Sequence, residues 1–356
     1  MPGYLWPAAI YALILGLHLA VPTRWVDGYI LDPLTGARRR YRINGLAVGA
    51  IVLALWEIAC RRGWMAWDAL WTARWESLAG ACVIGLVFTL AVVLPAPRRG
   101  GLLSDLYLGR VADPRWFGGR VDAKMALYLV GAVMLELNVL SFAAHHRIVH
   151  PADPSPGVML SAAMLSFFVI DYLYFERVHL YTWDLVAERV GFKLGWGCTV
   201  FYPYFYGIGL WAVADEPNPH APGWLLAAGV LVFLAGWMLA RGANMQKYRF
   251  KVAPQETFLG LIEPVALGAD SPHVLCSGFW GWSRHINYLG EILMATGITL
   301  ALGFPQALLP WLYPLYYVAL LVPRQIADDA RCAARYGATW QEYCRRVPYR
   351  IVPGIY

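Results

Sequence analysis

The sequence is poor in charged residues, which make up 15% of its 356 positions, whereas apolar residues make up 59%. An ordinary soluble domain has about 25% charged residues. So little polar surface excludes a soluble globular protein, and the mean hydropathy of +0.48 agrees with that conclusion. The 17 Trp and 21 Tyr residues favour a membrane protein, because aromatic rings with one polar end collect at the membrane–water interface.

Several motifs with well-defined chemistry are also missing. No CxxC pair occurs among the six cysteines, so the sequence indicates neither a zinc site nor a disulfide framework. The patterns GxGxxG, GxxxxGK(S/T), HExxH and GxSxG are absent as well. The one histidine group, His145, His146 and His150, is too small to supply the ligands of a membrane di-iron centre. We therefore predict no metal site, and no basic face is formed for nucleic acid.

Long apolar runs are present instead. A membrane-spanning helix needs about 20 mostly apolar residues. The candidate runs occupy residues 4–21, 45–60, 77–94, 125–144, 158–175, 194–214, 222–240, 288–303 and 306–322, and 258–267 is either a tenth span or a re-entrant piece. The first run lacks the basic flank and the cleavage site of a signal peptide. We predict an all-α, polytopic integral membrane protein with about nine or ten transmembrane helices, forming a single membrane domain over residues 1–356.

Polar side chains lie inside or beside these apolar runs: Glu136, Asn138, Asp171 and Glu176. An ionisable group at bilayer depth is costly unless it faces a protein interior or a wet cavity, so each is a functional candidate. A hydrogen bond between helices would explain Glu136 and Asn138 equally well. The sequence leaves both interpretations open.

Polarity rises in the last third of the chain, from Lys247 onward. The segment 277–291, SGFWGWSRHINYLGE, alternates small residues, aromatic rings and an Arg-His pair. Such a surface can stack on a flat ring and pair with phosphate. Further on, Arg324, Asp328 and Arg331 share one helical face, although a salt-bridged helix at the membrane interface would look similar. This pattern predicts a pocket at the membrane face, open to a water-soluble molecule.

These segments resemble one family, the sterol reductases that act on the C-14 or C-7 double bond, which also include the membrane domain of the lamin B receptor. The family patterns SG(W/F)WG..RH.NY.G(D/E) and R...DE.RC..KYG..W..YC..VPYR..P.IY match residues 277–291 and 324–356. Residues 242–251 (GANMQKYRFK), 171–184 (DYLYFERVHLYTWD) and 195–206 (GWGCTVFYPYFY) also resemble family segments. The likeness extends over residues 41–356.

The resemblance implies that NADPH binds in a pocket built by the C-terminal half, residues 241–356, while residues 1–240 form transmembrane helices with a sterol pocket. The residues that match the family's cofactor-binding positions are Lys247, Lys251, Leu275, Trp280, Arg284, His285, Asn287, Tyr288, Arg324, Asp328, Arg331 and Tyr336. Several Arg and Lys side chains suit a pyrophosphate and a 2′-phosphate. Because NADPH is cytoplasmic, we expect the C-terminal face in the cytoplasm, of either a bacterial inner membrane or the endoplasmic reticulum.

The implied mechanism begins with a proton. Hydride does not add to an isolated, electron-rich alkene, so an acid in a dry pocket must first protonate one carbon before NADPH delivers hydride to its neighbour. The family-matched candidates for acid and proton relay are Asp171, Glu176, Asp184 and Tyr206.

Two departures from the family pattern fall where substrate contacts are expected. Tyr174 and Phe175 replace a Trp-Asn pair, and Phe168 stands where a tyrosine is expected. The resemblance favours reduction of the C-14 bond of a sterol or a related polycyclic lipid, and leaves the C-7 bond as an alternative. Two other classes stay open: an isoprenylcysteine-type membrane methyltransferase, whose motif has proline where this chain has Ile286, and a non-catalytic sterol-binding protein.

Overall fold

The computed structural model describes residues 1–32, 35–268 and 273–356. The chain forms two compact units, Met1–Asn218 and Pro219–Tyr356. The boundary lies in a polar joint just before the seventh apolar run, ahead of the division at residue 240 that the sequence suggested. A single membrane domain for the whole chain stays a prediction.

Unit 1, Met1–Asn218, is built mainly from helices joined by short ladders and turns. Its elements in chain order are α1 (Trp6–Ala20), β1 (Arg24–Leu31), β2 (Arg38–Ile43), α2 (Gly45–Arg61), α3 (Ala69–Thr72), α4 (Arg74–Val93), α5 (Leu102–Leu108), β3 (Arg115–Trp116), β4 (Val121–Asp122), α6 (Ala123–Val149), α7 (Pro156–Tyr174), α8 (Glu176–His179), α9 (Trp183–Val186), α10 (Phe192–Trp196), a π-helix (Gly197–Phe205) and α11 (Ile208–Val213).

Unit 2, Pro219–Tyr356, has three long helices and a short C-terminal one. Its elements are α12 (Gly223–Val252), β5 (Ala266–Leu267), β6 (Val274–Leu275), a 3₁₀ turn (Gly278–Gly281), α13 (Ile286–Ala301), a second 3₁₀ turn (Leu309–Trp311), α14 (Leu312–Tyr336) and α15 (Ala338–Arg346). The all-helical membrane fold is confirmed, with three small antiparallel ladders, β1–β2, β3–β4 and β5–β6, added to it.

Five helices in the described part of the chain are long and apolar enough to cross a membrane. They are Gly3–Ala20, α4, α6, α7 and α12. The predicted runs at 45–60 and 288–303 fall on α2 and α13, which have 17 and 16 residues. The run at 194–214 is divided among α10, the π-helix and α11. The full count of nine or ten spans therefore stays a prediction.

Of the two alternatives for 258–267, a tenth transmembrane helix is wrong, because this stretch is not helical, and a re-entrant piece stays a prediction. Phe258 and Ile262 pair across a tight turn, and Ala266 begins β5. Leu259 and Gly260 both have positive φ, at 55° and 68°. Two successive residues in that conformation cannot continue a right-handed helix.

Helix α6 forms the centre of unit 1 and is buried along most of its length. The π-helix packs beside it, and the amide of Asn138 donates to the carbonyl of Pro203 at 2.8 Å. The hydroxyl of Tyr11 donates to the carbonyl of Thr199 at 2.5 Å. Side chains from two helices thus satisfy π-helix carbonyls, and for Asn138 the structure shows the hydrogen bond that was one of the two interpretations left open.

The histidine group at the end of α6 ties loops together. His145 lies between the carboxylates of Asp68 and Asp215, with nitrogen–oxygen distances of 3.0 and 2.7 Å. His146 accepts from the backbone N–H of Ser155 at 2.8 Å and contacts the carbonyl of Ala214 at 3.1 Å. Each ring therefore has protein partners on both nitrogens.

Close packing of α12 against α13 organises unit 2. A Cβ atom added at Gly236 would lie 2.6 Å from the carbonyl oxygen of Gly290, and one at Gly297 would overlap the backbone of Phe233. A Cβ at Gly290 would overlap the backbone nitrogen of Ala240. The two helices approach this closely because glycine faces backbone on both sides, a pattern typical of membrane helix pairs.

We predict that Gly290→Leu lowers the free energy of unfolding by at least about 1–3 kcal/mol, the range typical of overpacking. The backbone atoms that face Gly290 cannot move aside to accept a side chain. Thermal unfolding and the monodisperse yield in detergent would measure it. Gly16→Leu is the matched control, since nothing lies within 4 Å of a Cβ on Gly16 in α1. Equal stability of the two variants would contradict the packing argument.

Candidate active site

The carboxylate of Asp329, on α14, joins three segments of unit 2. His285 Nε2 lies 3.3 Å from Asp329 Oδ1, and the amide of Gln325 donates to Oδ2 at 2.6 Å. The guanidinium groups of Arg284 and Arg350 lie 3.5 and 3.8 Å from the same oxygen. One carboxylate therefore holds α14, the start of α13 and the C-terminal segment together.

Electrostatics around Asp329 favour its ionised form. Partial burial opposes ionisation, but the hydrogen bond from His285 and the charges of His285, Arg284 and Arg350 hold the pKa of Asp329 below its usual value. The side chain of Arg284 is 7% exposed and that of His285 is 4% exposed. An ionised Asp329 offsets the cost of burying a cation at this position.

Backbone pairing fixes the Arg-His pair from the other side. The Ser283 hydroxyl donates to the carbonyl of Arg350 at 2.8 Å. The N–H groups of Arg284 and His285 donate to the carbonyls of Tyr349 and Arg350 at 3.0 and 2.8 Å. Arg284 and His285 form the turn before α13, and both side chains contact Asp329 on α14.

Trp280 is positioned by three separate contacts. Its indole N–H donates to the carbonyl of Ala243 at 2.9 Å, and its own carbonyl accepts from the Tyr343 hydroxyl at 2.8 Å. Buried Gln246 bonds the same turn twice, donating to the carbonyl of Ser277 at 3.0 Å and accepting from the backbone N–H of residue 279 at 3.0 Å. These hydrogen bonds fix the position of the Trp280 ring, which is largely buried.

Cations lie next to this aromatic ring. The ammonium of Lys247 is 4.8 Å from the centre of the Trp280 ring. Lys251, one turn along α12, is close enough to Lys247, Arg335 and Asp328 to interact with their charges. Burial disfavours the charged form of Lys251, so Lys247 and Arg335 supply the positive charge beside the one carboxylate of Asp328, which suits an anionic ligand.

Asn287, in the first turn of α13, has an unusual environment. Its amide nitrogen is 3.3 Å from the side-chain oxygen of Asn244, and its own oxygen is buried without a donor in the described part of the chain. An unsatisfied buried acceptor costs about 1–3 kcal/mol. It is therefore a position where a ligand donor would be stabilised.

The structure brings most of the predicted cofactor residues together within unit 2. Leu275 packs in one buried cluster with Trp280, and the Tyr288 ring stacks on His285 at 5.0 Å. His285 Nδ1 is 3.8 Å from Asp328. The other predicted residues of α14 are half-buried Arg324, exposed Arg331 and half-buried Tyr336.

Sequence reasoning missed Asp329, Gln325 and Gln246, which orient the predicted residues. Asp329 follows the predicted Asp328 directly, and only its partners in the structure distinguish the two carboxylates. The spacing of Gln325 and Asp329, four residues apart on α14, was the available signal for their contact.

Glu176 is the most buried of the four predicted acid residues in unit 1, with 5% exposure. Its carboxylate accepts from the backbone N–H of Gly45 at 2.8 Å, at the first residue of α2. Burial raises the pKa of Glu176 to about 7, and this hydrogen bond acts in the opposite direction. A carboxyl with this pKa can hold a proton near neutral pH.

Tyr206, another of the four candidates, belongs to a row of aromatic rings. Tyr206 contacts Tyr202 at 4.8 Å and Phe168 at 6.3 Å between ring centres. Tyr172, which sequence reasoning did not single out, stacks on His179 at 3.9 Å.

Tyr172 is also the group that relates the predicted acids to one another. It lies within electrostatic range of both Asp184 and Glu176. Asp171 is the preceding residue on α7 and is half-buried. The predicted acids are therefore grouped at the end of α7 and in the short helices after it.

Comparison with known proteins gives one family for almost the whole chain. The model of the "Ergosterol biosynthesis ERG4/ERG24 family" matches residues 4–356. The match includes the segments 171–184 and 277–291 on which the sequence resemblance was based. The methyltransferase alternative is left without support.

The chain is similar to individual relatives over nearly its full length. The chain is 30% identical to the Delta(14)-sterol reductase of Arabidopsis thaliana, covering 99% of this chain and 98% of the relative. It is 32% identical to the Delta(14)-sterol reductase TM7SF2 of Mus musculus, covering 99% and 86%. For the Delta(14)-sterol reductase of Methylotuvimicrobium alcaliphilum the identity is 31%, covering 96% and 80%.

We predict that Asp329→Asn lowers the unfolding temperature at pH 7 by about 2 °C or more. A carboxylate whose folded pKa is depressed stabilises the protein above its unfolded value of about 3.9, and this contribution is lost as the pH falls through the folded pKa. The difference from wild type should therefore shrink below about pH 4. Thermal unfolding from pH 7 to pH 3 would measure it.

Asp27→Asn is the control, because the Asp27 ion pair with Arg40 is exposed and long, at 3.9 Å. A pH-independent difference between Asp329→Asn and wild type would exclude an electrostatic role.

Proposed function

The chain belongs to the ergosterol biosynthesis ERG4/ERG24 family, and on this basis we propose that it is a Δ14-sterol reductase that protonates the C-14 double bond and completes the reduction with hydride. The observation that carries the proposal is likeness at 30–32% identity, over 96–99% of this chain, to reductases of that name from a plant, a mouse and a bacterium. Such enzymes are oxidoreductases that take hydride from a reduced nicotinamide cofactor.

The cofactor we propose is NADPH, bound in unit 2. The residues present fit its chemistry, because Lys247 places positive charge against the ring of Trp280, Lys251 lies beside it where a phosphate would favour its charged form, and the buried oxygen of Asn287 lacks a donor in the described residues. When bound, the reduced nicotinamide supplies the hydride. Arg284, His285 and Asp328 then complete the binding surface, with Leu275, Tyr288, Arg324, Arg331 and Tyr336 around it. Asp329 and Gln246 hold the binding residues in place.

The acid we propose lies at the end of α7 in unit 1. Glu176 retains a proton near pH 7 because burial disfavours its charge. Asp171 and Asp184 are partly exposed, so they can exchange protons with water and return a proton to the acid after each turnover. Tyr206 is the fourth member of this set, and its ring contacts those of Tyr202 and Phe168.

The membrane orientation we propose follows from charge. All 11 Lys and Arg residues of unit 2 lie in α12 after residue 240, at 284, or at 324–350, whereas residues 219–222 and 302–311 carry no charge. Basic residues are retained on the cytoplasmic side of a membrane. The end of unit 2 that carries the cofactor residues therefore faces the cytoplasm.

We predict that purified, detergent-solubilised protein consumes NADPH with a Δ14-unsaturated sterol and forms the product reduced at C-14. Mass spectrometry would identify the product, and a Δ7-unsaturated sterol serves as the comparison. Turnover of the Δ7 sterol alone would contradict the assigned bond. If the protein binds NADPH but reduces neither sterol, it is a reductase that acts on another substrate.

Glu176→Gln should lower turnover by about 100-fold or more, the usual contribution of a general acid, and leave cofactor affinity unchanged. Glutamine can still accept the hydrogen bond from Gly45, so the fold is retained. In wild type, turnover should fall as pH rises above about 7, because the protonated acid is depleted. Exposed Glu57→Gln is the control, and undiminished turnover in Glu176→Gln would assign the proton to Asp171 or Asp184.

Lys251→Met should raise the Kd for NADPH by about tenfold, the loss expected for one charge-assisted hydrogen bond, and change the Kd for NADH less. Quenching of tryptophan fluorescence would measure both affinities. Arg249→Met is the matched control, because Arg249 lies on the same helical end and pairs with Glu256 at 3.0 Å. An equal loss of affinity for NADPH and NADH would contradict a contact between Lys251 and the 2′-phosphate.

A further inference from the structure

Glu136 is a buried acid that the proposed chemistry does not use. It lies in the middle of α6 with 4% exposure, and the structure gives it a hydrogen bond with Ser166 on α7. Its second carboxyl oxygen, Oε2, is buried without a partner in the described residues. Asn138, two residues further along, has its partner in the Pro203 carbonyl. The two polar groups of this helix therefore differ, and only Glu136 has unused capacity.

An orphaned carboxyl oxygen in a membrane helix core needs a ligand that the chain does not supply. If the carboxyl is protonated, Oε2 requires an acceptor, and if it is ionised, Oε2 requires a donor. A hydroxyl group meets either requirement, because it both donates and accepts. The residues one turn away on the same face of α6, Ala132, Val133 and Val139, are buried and apolar. A mostly apolar molecule with one hydroxyl fits these surroundings.

Glu136 also lies near the level of Asp171, one of the two carboxyls that we propose return a proton to the acid. Ser166 marks the level of Glu136 on α7, and Asp171 is five residues further along, about 7.5 Å at 1.5 Å per residue. Between these levels Phe168 packs against Tyr206. A fused-ring sterol has its single ring hydroxyl at one end, so a molecule held there by Glu136 extends along α7 past Phe168 and Tyr206, toward Asp171 and the proposed acid Glu176 beyond it.

We propose that Glu136, supported by Ser166, binds the 3-hydroxyl of the sterol substrate and so sets which end of the ring system enters unit 1. This inference rests on the proposed function and adds the recognition of the substrate's polar end. Glu136 recognises substrate and does not supply the proton. A spent acid must be reprotonated from water, and partly exposed Asp171 and Asp184 have that access whereas Glu136 does not.

The test compares a Δ14-unsaturated sterol with its 3-deoxy analogue. We would measure the Kd of both ligands without cofactor, and the KM and kcat of both with NADPH, on full-length protein in detergent. Wild type should bind the hydroxy sterol more tightly, by about tenfold, the effect of one buried hydrogen bond. In Glu136→Leu this preference should fall to near onefold, with affinity for the deoxy analogue retained.

Two variants control for damage to the fold. Glu136→Gln should keep the preference, because an amide also donates and accepts. Thr89→Val removes a buried hydroxyl on α4 whose bond is local, to the carbonyl of Gly85 at 2.8 Å, and should keep the preference as well.

The proposal is overturned if wild type shows no preference for the hydroxy sterol, or if Glu136→Leu keeps that preference unchanged. It is also overturned if Glu136→Gln loses kcat equally on both ligands, because Glu136 would then be the proton donor. If wild type binds the sterols but reduces neither, the proposed function fails, and the binding preference still decides the role of Glu136.

Discussion

The constraint on which this structure depends is that lipid offers no hydrogen-bond partner, so every polar group within the helices must find one in the protein. Side chains from other elements meet this need repeatedly. Asn138 and Tyr11 bond carbonyls of the π-helix, and Arg42 donates to the carbonyls of His18 and Val21, at 3.0 and 2.9 Å, where α1 ends. Polar residues in these helices are therefore part of the framework, and a polar atom left unsatisfied is informative.

The same constraint separates the two kinds of site. In unit 1 Glu176 is buried, and desolvation raises its pKa to about 7, so it holds a proton more readily than an exposed carboxyl does. In unit 2 cations gather around Trp280, and a single carboxylate, Asp329, is kept ionised by its neighbours. A reduction that needs both a proton donor and an anionic cofactor requires both environments.

Much of this could be predicted from the sequence, because the apolar runs and the polar C-terminal third are local features. The ladders and the π-helix could not, since hydrophobic periodicity does not distinguish a π-helix from an α-helix. The central role of Asp329 was missed because its partners His285 and Arg284 lie some 40 residues upstream, and residue spacing on α14 favoured Asp328. Glu136 and Asn138 looked equivalent in sequence, and only the Pro203 carbonyl separates them.

The length of the π-helix determines the direction in which the side chains after it point. An α-helix turns by about 100° per residue, and each π turn includes one residue more than an α turn. Removing a single residue from Gly197–Phe205 would therefore rotate everything beyond the deletion by roughly a quarter turn. Tyr202 and Tyr206 would then face other neighbours than Tyr172 and Phe168. Which aromatic rings contact one another therefore depends on the number of residues in this segment as much as on the identity of its side chains.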